Sequence, residues 1–157
     1  MLRLSKKADY ALMAMKHLAV RGDRGSQLSS SAREIAELYD IPIELMAKVL
    51  QRLVRRGLLA STQGTRGGYQ LARTPAQISV ADVIQAIDGP VTVTACSSDD
   101  GPQCEQYSKC NVRDPLWRVR EKIISALGEC TIAELASDVP PPPAVKAAVL
   151  HTGARSV

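Results

Sequence analysis

Cys96, Cys104 and Cys110 fall within one 15-residue stretch, separated by seven and five residues, and no cysteine precedes them. Thiols this close along a chain hold a metal, do redox chemistry or pair as disulfides. The amino terminus does not read as a secretory signal, so a reducing, cytoplasmic compartment is expected. Clustered cysteines there bind metal or do redox work. Structural zinc sites pair their ligands as C-x2–4-C, so intervals of seven and five argue against zinc. Wide intervals in a segment rich in Ser, Asp and Gly suit a larger object with several iron corners, an iron–sulfur cluster of the 2Fe–2S or 4Fe–4S type. The bland alternative is three loop cysteines without a ligand, which would leave reactive thiols exposed. Cys130, twenty residues further on, reads as a packed or semi-buried thiol rather than a ligand.

A second constellation is basic. Residues 1–76 carry 13 Lys and Arg against 6 Asp and Glu, whereas residues 77–157 carry 7 against 10. The net charge of +4 therefore hides a first half suited to a polyanion and a second half that is not. From Pro42 to about Arg56, the residues Met46, Val49, Leu50, Leu53 and Val54 share one helical face. Glu44, Lys48, Gln51, Arg52 and Arg55 are left on the other. The major groove of double-stranded DNA admits one helix, whose outward side chains reach base edges while Arg and Lys neutralise phosphates. A charged face is also what any solvated helix shows. The next segment tips the balance. Gln63-Gly64-Thr65-Arg66-Gly67-Gly68 places Arg66 at the tip of a Gly-rich hairpin, where it has little folding purpose but can enter a minor groove.

These residues need a scaffold. Ser5 caps a helix to about Arg21, with Ala8, Ala11, Leu12, Met15, Leu18 and Ala19 on one face and Gly22 and Gly25 ending it. Ser31 and Glu34 form the capping box of a second helix through Leu38, with Ile35 and Leu38 as its buried side. Asp40-Ile41-Pro42 turns tightly into the basic helix, and Gly57 stops it. Strand-like segments at 58–62 and 69–72 flank this stretch, whose three glycines in six residues read as a hairpin loop needing positive φ. Together these make a winged helix-turn-helix. Ser79 and Asp82 open another helix, which Gly89-Pro90 ends. Residues 94–114 form the cysteine loop. From Pro115 to about Leu127 a long helix carries Leu116, Val119, Ile123, Ala126 and Leu127 on one side, with Trp117 and Ile124 beside them. A stripe so wide needs more than a small domain to cover it, and a partner helix in a homodimer would do so. Thr131 and Glu134 cap a short last helix. Pro140 to Pro143 open a tail expected to be mobile.

The expected architecture is mostly α: a winged helix-turn-helix DNA-binding domain over 1–76, a cluster loop with dimerisation helices over 77–137, and a Pro-rich tail over 138–157. Phe is absent, so the core must be aliphatic. No apolar run approaches the ~18 residues of a membrane span, and no membrane partner is expected.

The chain resembles the IscR/NsrR/RirA-type iron–sulfur transcriptional regulators, which are winged-helix dimers. The resemblance covers about residues 1–137. It rests on Leu2-Arg3-Leu4-Ser5-Lys6, Gly67-Gly68-Tyr69, Ile78-Ser79-Val80 leading to Ile87-Asp88-Gly89, the cysteine triplet, and Leu116-Trp117. The segment from Cys96-Ser97-Ser98 to Cys110-Asn111-Val112-Arg113 is most similar to the branch that regulates SUF iron–sulfur assembly operons. The resemblance implies a cluster-bearing repressor or dual regulator with the long helix crossing its partner. Two departures stand out. The IscR branch completes its ligand set with a His three residues after the third Cys, where this chain has Arg113. The nitric-oxide-sensing branch instead reaches across the dimer with an Asp near the amino terminus, which Asp9 matches. Asp9 is equally an ordinary acidic residue in a first helical turn, and His17 is a weaker rival, more simply a surface or packed histidine. The family wing starts Arg-Gly, whereas this one starts Gln63-Gly64, which leaves the minor-groove contact to Arg66 or weakens it.

Three function classes compete. One is a transcription regulator whose DNA affinity depends on a cluster held by Cys96, Cys104, Cys110 and Asp9 of the partner subunit. Another is a cluster-free winged-helix regulator that senses through thiols or partner proteins. The third, an enzyme or electron carrier, lacks support: there is no nucleotide loop, no nucleophile elbow and only two His. No small-molecule substrate is expected.

Overall fold

The computed structural model describes residues 4–23, 29–65, 67–94 and 104–137. Gly25, Arg66, Cys96 and the tail from 138 lie outside the described residues. The elements run α1 (Lys6–Asp23), α2 (Ala32–Leu38), α3 (Ile43–Arg55), β1 (Leu59–Thr62), β2 (Gly68–Leu71), α4 (Val80–Asp88), α5 (Arg113–Glu129) and α6 (Ile132–Ala136). One-turn 3-10 helices at Pro75–Gln77 and Tyr107–Lys109 punctuate the connections. The strands pair antiparallel with Leu59 opposite Leu71 and Thr62 opposite Gly68. The fold is the mostly helical, winged one expected.

Local chemistry sets the boundaries. The Ser5 hydroxyl accepts the Ala8 N–H at 3.1 Å, capping α1. Ser31 with Glu34, Ser79 with Asp82 and Thr131 with Glu134 each make reciprocal capping boxes, satisfying amide groups that a helix start leaves unpaired. α5 begins at Arg113 rather than Pro115, because a proline in the first turn gives up an N–H that has no helical partner there. Ser79 and Thr131 also face each other in an antiparallel bridge that joins the starts of α4 and α6; α6 packs against α1, and Ile132 is fully buried.

The core is one aliphatic cluster. Ala8, Ala11, Ala14 and Ala19 give α1 a narrow face that packs against α3, and Met15, Leu18, Leu50 and Leu53 are buried in the same cluster. Val83, Ala86, Ile87 and Ile132 join the same cluster, so packing is continuous across residue 76. Each large aliphatic side chain buried there contributes about 1.5–3 kcal/mol. One expectation is corrected. Ile35 is buried, but Leu38 is 60% exposed. Three residues along a helix turn 300°, so in this two-turn helix Ile35 and Ala36 take the core side and Leu38 falls beyond it.

A polar knot ties α1 to the wing. Ser30 is fully buried; its hydroxyl accepts from Arg21 Nη1 at 2.8 Å and meets His17 Nε2 at 3.3 Å. His17 Nδ1 lies 3.3 Å from the Tyr39 hydroxyl, and the two rings pack edge to face. The Ser30 backbone pairs both ways with Tyr69 of β2, at 2.8 and 3.0 Å. Burial, reinforced by the Arg21 charge and opposed by Glu34, holds the His17 imidazole below its ordinary 6.5. The folded state thus favours neutral His17. Stability from this group is complete above about pH 6.5 and is lost as pH falls through the lower folded value. Melting temperature should therefore drop on acidification through this window, and His17→Gln should flatten that slope. A variant as acid-sensitive as the parent would assign the slope to other groups.

Candidate functional site

The tight turn before α3 is enforced by two local features. Asp40 adopts φ 52°, a left-handed conformation that Asp tolerates better than most residues, and the Ile41 N–H closes on the Ala36 carbonyl at 2.9 Å. Pro42 sits at the N-cap of α3, and its carbonyl accepts Leu45 and Met46 N–H, each at 3.0 Å. Met46, Val49, Leu50 and Leu53 are buried, which turns Glu44, Lys48, Gln51, Arg52 and Arg55 outward as expected. Gly57 at φ +71° ends the helix, and Leu58 N–H bonds back to Leu53 at 3.0 Å, feeding β1 directly.

The wing glycines do two different jobs. Gly64 takes φ +115°, but Gly68 is required for close approach: a Cβ there would stand 2.7 Å from the Ser30 carbonyl oxygen. The positive φ expected of this hairpin loop is met at Gly64, while Gly68 serves the close approach to Ser30. Arg66 lies outside the described residues. The sequence reading missed Arg73, just past β2, which lines a hollow with Arg56, Asp82 and Gln85 beside the end of α3; its place directly after the second strand was the available signal. The sequence reading also missed that Arg52 is partly spent internally. Its Nε–H donates to the Ala86 carbonyl of α4 at 2.9 Å.

The described part of the thiol site is a single turn. Cys104 and Cys110 are half-buried free thiols on either side of the Tyr107–Lys109 helix, and the Tyr107 N–H bonds to the Cys104 carbonyl at 3.0 Å. The Cys104 thiol reaches Gln106 Oε1 at 3.7 Å. Neither thiol is consumed by a disulfide, and soft sulfur donors on a short turn fit an iron–sulfur cluster. Cys96 lies outside the described residues. Among the described residues no three His, Cys, Asp or Glu converge as a metal-binding set, so Asp9, Cys104 and Cys110 of one chain do not form one. Asp9 is exposed in a shallow hollow with Ser5, Lys6 and Asp88.

Arg113 stands over the Tyr107 ring at 4.8 Å, donates to the Tyr107 carbonyl at 3.3 Å and pairs with Asp114 at 3.0 Å. The Asp114 hydrogen bond and charge raise its pKa further, with a smaller contribution from Cys110. A guanidinium has no lone pair to give a metal, so Arg113 closes the cysteine turn without being a ligand. Cys130 follows α5; burial and then the Glu134 carboxylate push its thiol up, and its carbonyl accepts the Val80 N–H at 2.8 Å. It is a half-buried thiol, within the packed or semi-buried expectation. α5 itself buries no residue within one chain: Leu116, Ile123, Ile124 and Leu127 are half-buried, and Trp117 and Val119 are 49% and 45% exposed. Among the described residues no helix is long and apolar enough to cross a membrane.

Comparison with known proteins agrees with this arrangement. The chain is 34% identical over 135 residues to the HTH-type transcriptional regulator IscR of Xenorhabdus nematophila, spanning 85% of this chain and 79% of that protein. It is 32% identical to IscR of Cronobacter sakazakii over 87% of this chain and 82% of the relative. Among solved structures, CymR, the global cysteine regulator of B. subtilis, superposes with a TM-score of 0.68 at 26% identity, covering 89% of this chain and all of that one. T. potens IscR superposes at 0.64 with 27% identity, covering 85% of each. These relatives are transcription regulators, not enzymes. The Rrf2 family, described as iron-dependent transcriptional regulators, matches residues 4–138, and the chain belongs to that family of DNA-binding, winged-helix regulators.

Proposed function

We propose that the chain is a homodimeric regulator, acting as a repressor, whose grip on its operator is set by an iron–sulfur cluster of the 2Fe–2S or 4Fe–4S type. Cys96, Cys104 and Cys110 would hold it as thiolates, with Asp9 of the partner subunit as fourth ligand, and SUF-type assembly genes would be the target. The observation that carries this reading is one fold joining an outward basic helix to two unspent thiols on a single turn. When bound, such a cluster supplies an iron centre reactive towards oxygen and nitric oxide. The protein's own residues do the rest: α3 enters the groove, the wing carries Arg66, and α5 sets the distance between two recognition helices. That distance must match half-sites about 34 Å apart or a multiple of it. Residues 1–76 then bind DNA, residues 77–137 sense and dimerise, and the reducing cytoplasm is the compartment required.

The CymR likeness favours a second reading, a cluster-free regulator that senses through thiols or a partner protein. Native mass spectrometry with visible spectroscopy of anaerobically purified protein separates the two. Brown protein with iron and sulfide per subunit supports the first reading; colourless, metal-free dimers support the second.

The DNA face has its own test. Arg55 and Arg66 should each contact phosphate or groove, so each Ala variant should weaken operator binding and flatten the salt dependence by about one unit. Glu44, Lys48 and Gln51 should reach base edges instead, so their loss should relax sequence preference at about 1–3 kcal/mol per bidentate pair. Arg52→Ala is less clean, because it also cuts the bond to Ala86. Unchanged affinity and slope in the Arg55 and Arg66 variants would remove this face from the argument.

A further inference from the structure

Four helices are tied together at the turn that ends α4. The carbonyl of Ala86 lies in the last turn of α4, where helix carbonyls lose their intrahelical partners, and Pro90 beyond it has no N–H to offer. That carbonyl instead accepts Arg52 Nε–H from α3 at 2.9 Å. Two residues on, Asp88 accepts the Ser5 hydroxyl at 2.6 Å and the Ser5 N–H at 3.3 Å, pinning the start of α1. Gly89, at φ +85°, turns the chain. The Val91 carbonyl then accepts Arg120 Nε–H from α5 at 2.9 Å. Arg120 is fixed on two further sides, by Glu121 at 2.9 Å and by the Trp117 ring at 5.1 Å, and its side chain is only 16% exposed. The six residues from Ala86 to Val91 thus receive one tie each from the recognition helix, the first helix and the long helix.

We infer that this turn is the joint through which α5 sets the position of the recognition helix, with Arg52 and Arg120 as positioning residues for DNA binding. The inference rests on the reading of α3 as the DNA-contacting helix and α5 as the dimer helix. A shift of α5 pulls Val91 through Arg120. The Gly89-Pro90 turn is too short to absorb it, so the end of α4 moves, and Ala86 carries Arg52 and α3 with it. Coupling between distant sites requires such a contiguous set of packed or hydrogen-bonded groups, and removing one of its members changes it measurably.

The test uses the full-length dimer and a DNA duplex recovered by selection from a random-sequence library with the parent protein. Arg120→Met removes the tie to α5 at a residue on the long helix rather than on the recognition helix. Arg52→Lys keeps the charge on α3 but loses the Nε–H. Each should weaken duplex binding by about two- to thirtyfold, with the parent's salt slope, because no phosphate contact is lost. The double variant should bind no worse than the weaker single one, since both cut the same connection. Amide exchange across residues 86–91 should speed up in both. If Arg120→Met comes apart as a dimer, Arg120→Lys is read in its place and should show the same unchanged slope and non-additivity. Parent-like binding by the Arg120 variant, or losses that multiply in the double variant, would overturn the joint. Recovery of no duplex with the parent would overturn the DNA-binding reading and this inference with it, a distinct failure.

Discussion

Alanine at Cys96, Cys104 or Cys110 is expected to abolish the visible absorption of anaerobically prepared protein, whereas Cys130→Ala leaves it intact. A cluster held by three thiolates loses a corner with any one of them, and the vacant iron is open to solvent and oxygen. Cys104 and Cys110 flank one turn. Cys130 lies past α5, whose 17 residues span about 25 Å, and its thiol is held up by burial and by Glu134 rather than poised as a thiolate. Asp9→Ala is the finer member of the series. Asp9, Cys104 and Cys110 of one chain do not form a metal set, which favours the proposed donation of Asp9 from the partner subunit. The variant should keep its dimer, bind iron less stably and respond less to nitric oxide or oxygen. An unchanged spectrum and cluster lifetime would place the fourth ligand elsewhere. Bleaching by Cys130→Ala alone would overturn the three-cysteine set.

Much of the scaffold that carries these residues was legible in the sequence, because it is written in local chemistry. Ser5, Ser31, Ser79 and Thr131 announce helix starts through side chains that bond amides within three residues. The apolar spacing in α3 separates Met46, Val49, Leu50 and Leu53 from the charged face without any tertiary information. What escaped is non-local. Gly68 reads as a hairpin glycine, yet what demands it is the backbone of Ser30, which pairs with Tyr69 across 39 positions of sequence. Leu38 reads as core because it is apolar and follows Ile35 by three, but whether a neighbour covers that side of a seven-residue helix depends on the packing of the other elements. Arg52 reads as a free phosphate contact, and only the arrival of α4 reveals its second bond. The ligand set stays partly outside reach for a related reason. Asp9, Cys104 and Cys110 do not converge within one chain, and a ligand donated across chains would leave no record in the periodicity of either.

The second large effect concerns α5. Ile123→Asp is expected to split the proposed dimer while leaving each chain folded. Ile123 shares its side of the helix with Leu116 and Leu127, and all three are only half-buried within one chain. If nothing else covered them, an aspartate at 123 would reach water and change stability by no more than the ~0.5 kcal/mol typical of surface substitutions. In a seam closed by the same helix of a second chain, the carboxylate would be stripped of water without a partner, at several kcal/mol per site if it stayed charged. A two-fold dimer would place the change in both copies at once, since a symmetric interface presents one patch to itself. Trp117 supplies the readout. It is the only Trp in the chain, it is 49% exposed in a single copy, and it stands next to the stripe. Closure of the seam should shift its emission to the blue, and Ile123→Asp should return it to the red as sedimentation shows the lighter species. Because Arg120 stacks on that ring and also ties to Val91, splitting the dimer should loosen the end of α4 as well and weaken DNA binding beyond the loss of one half-site. A variant with the parent's mass and the parent's Trp117 emission would mean that the stripe is covered from within its own chain.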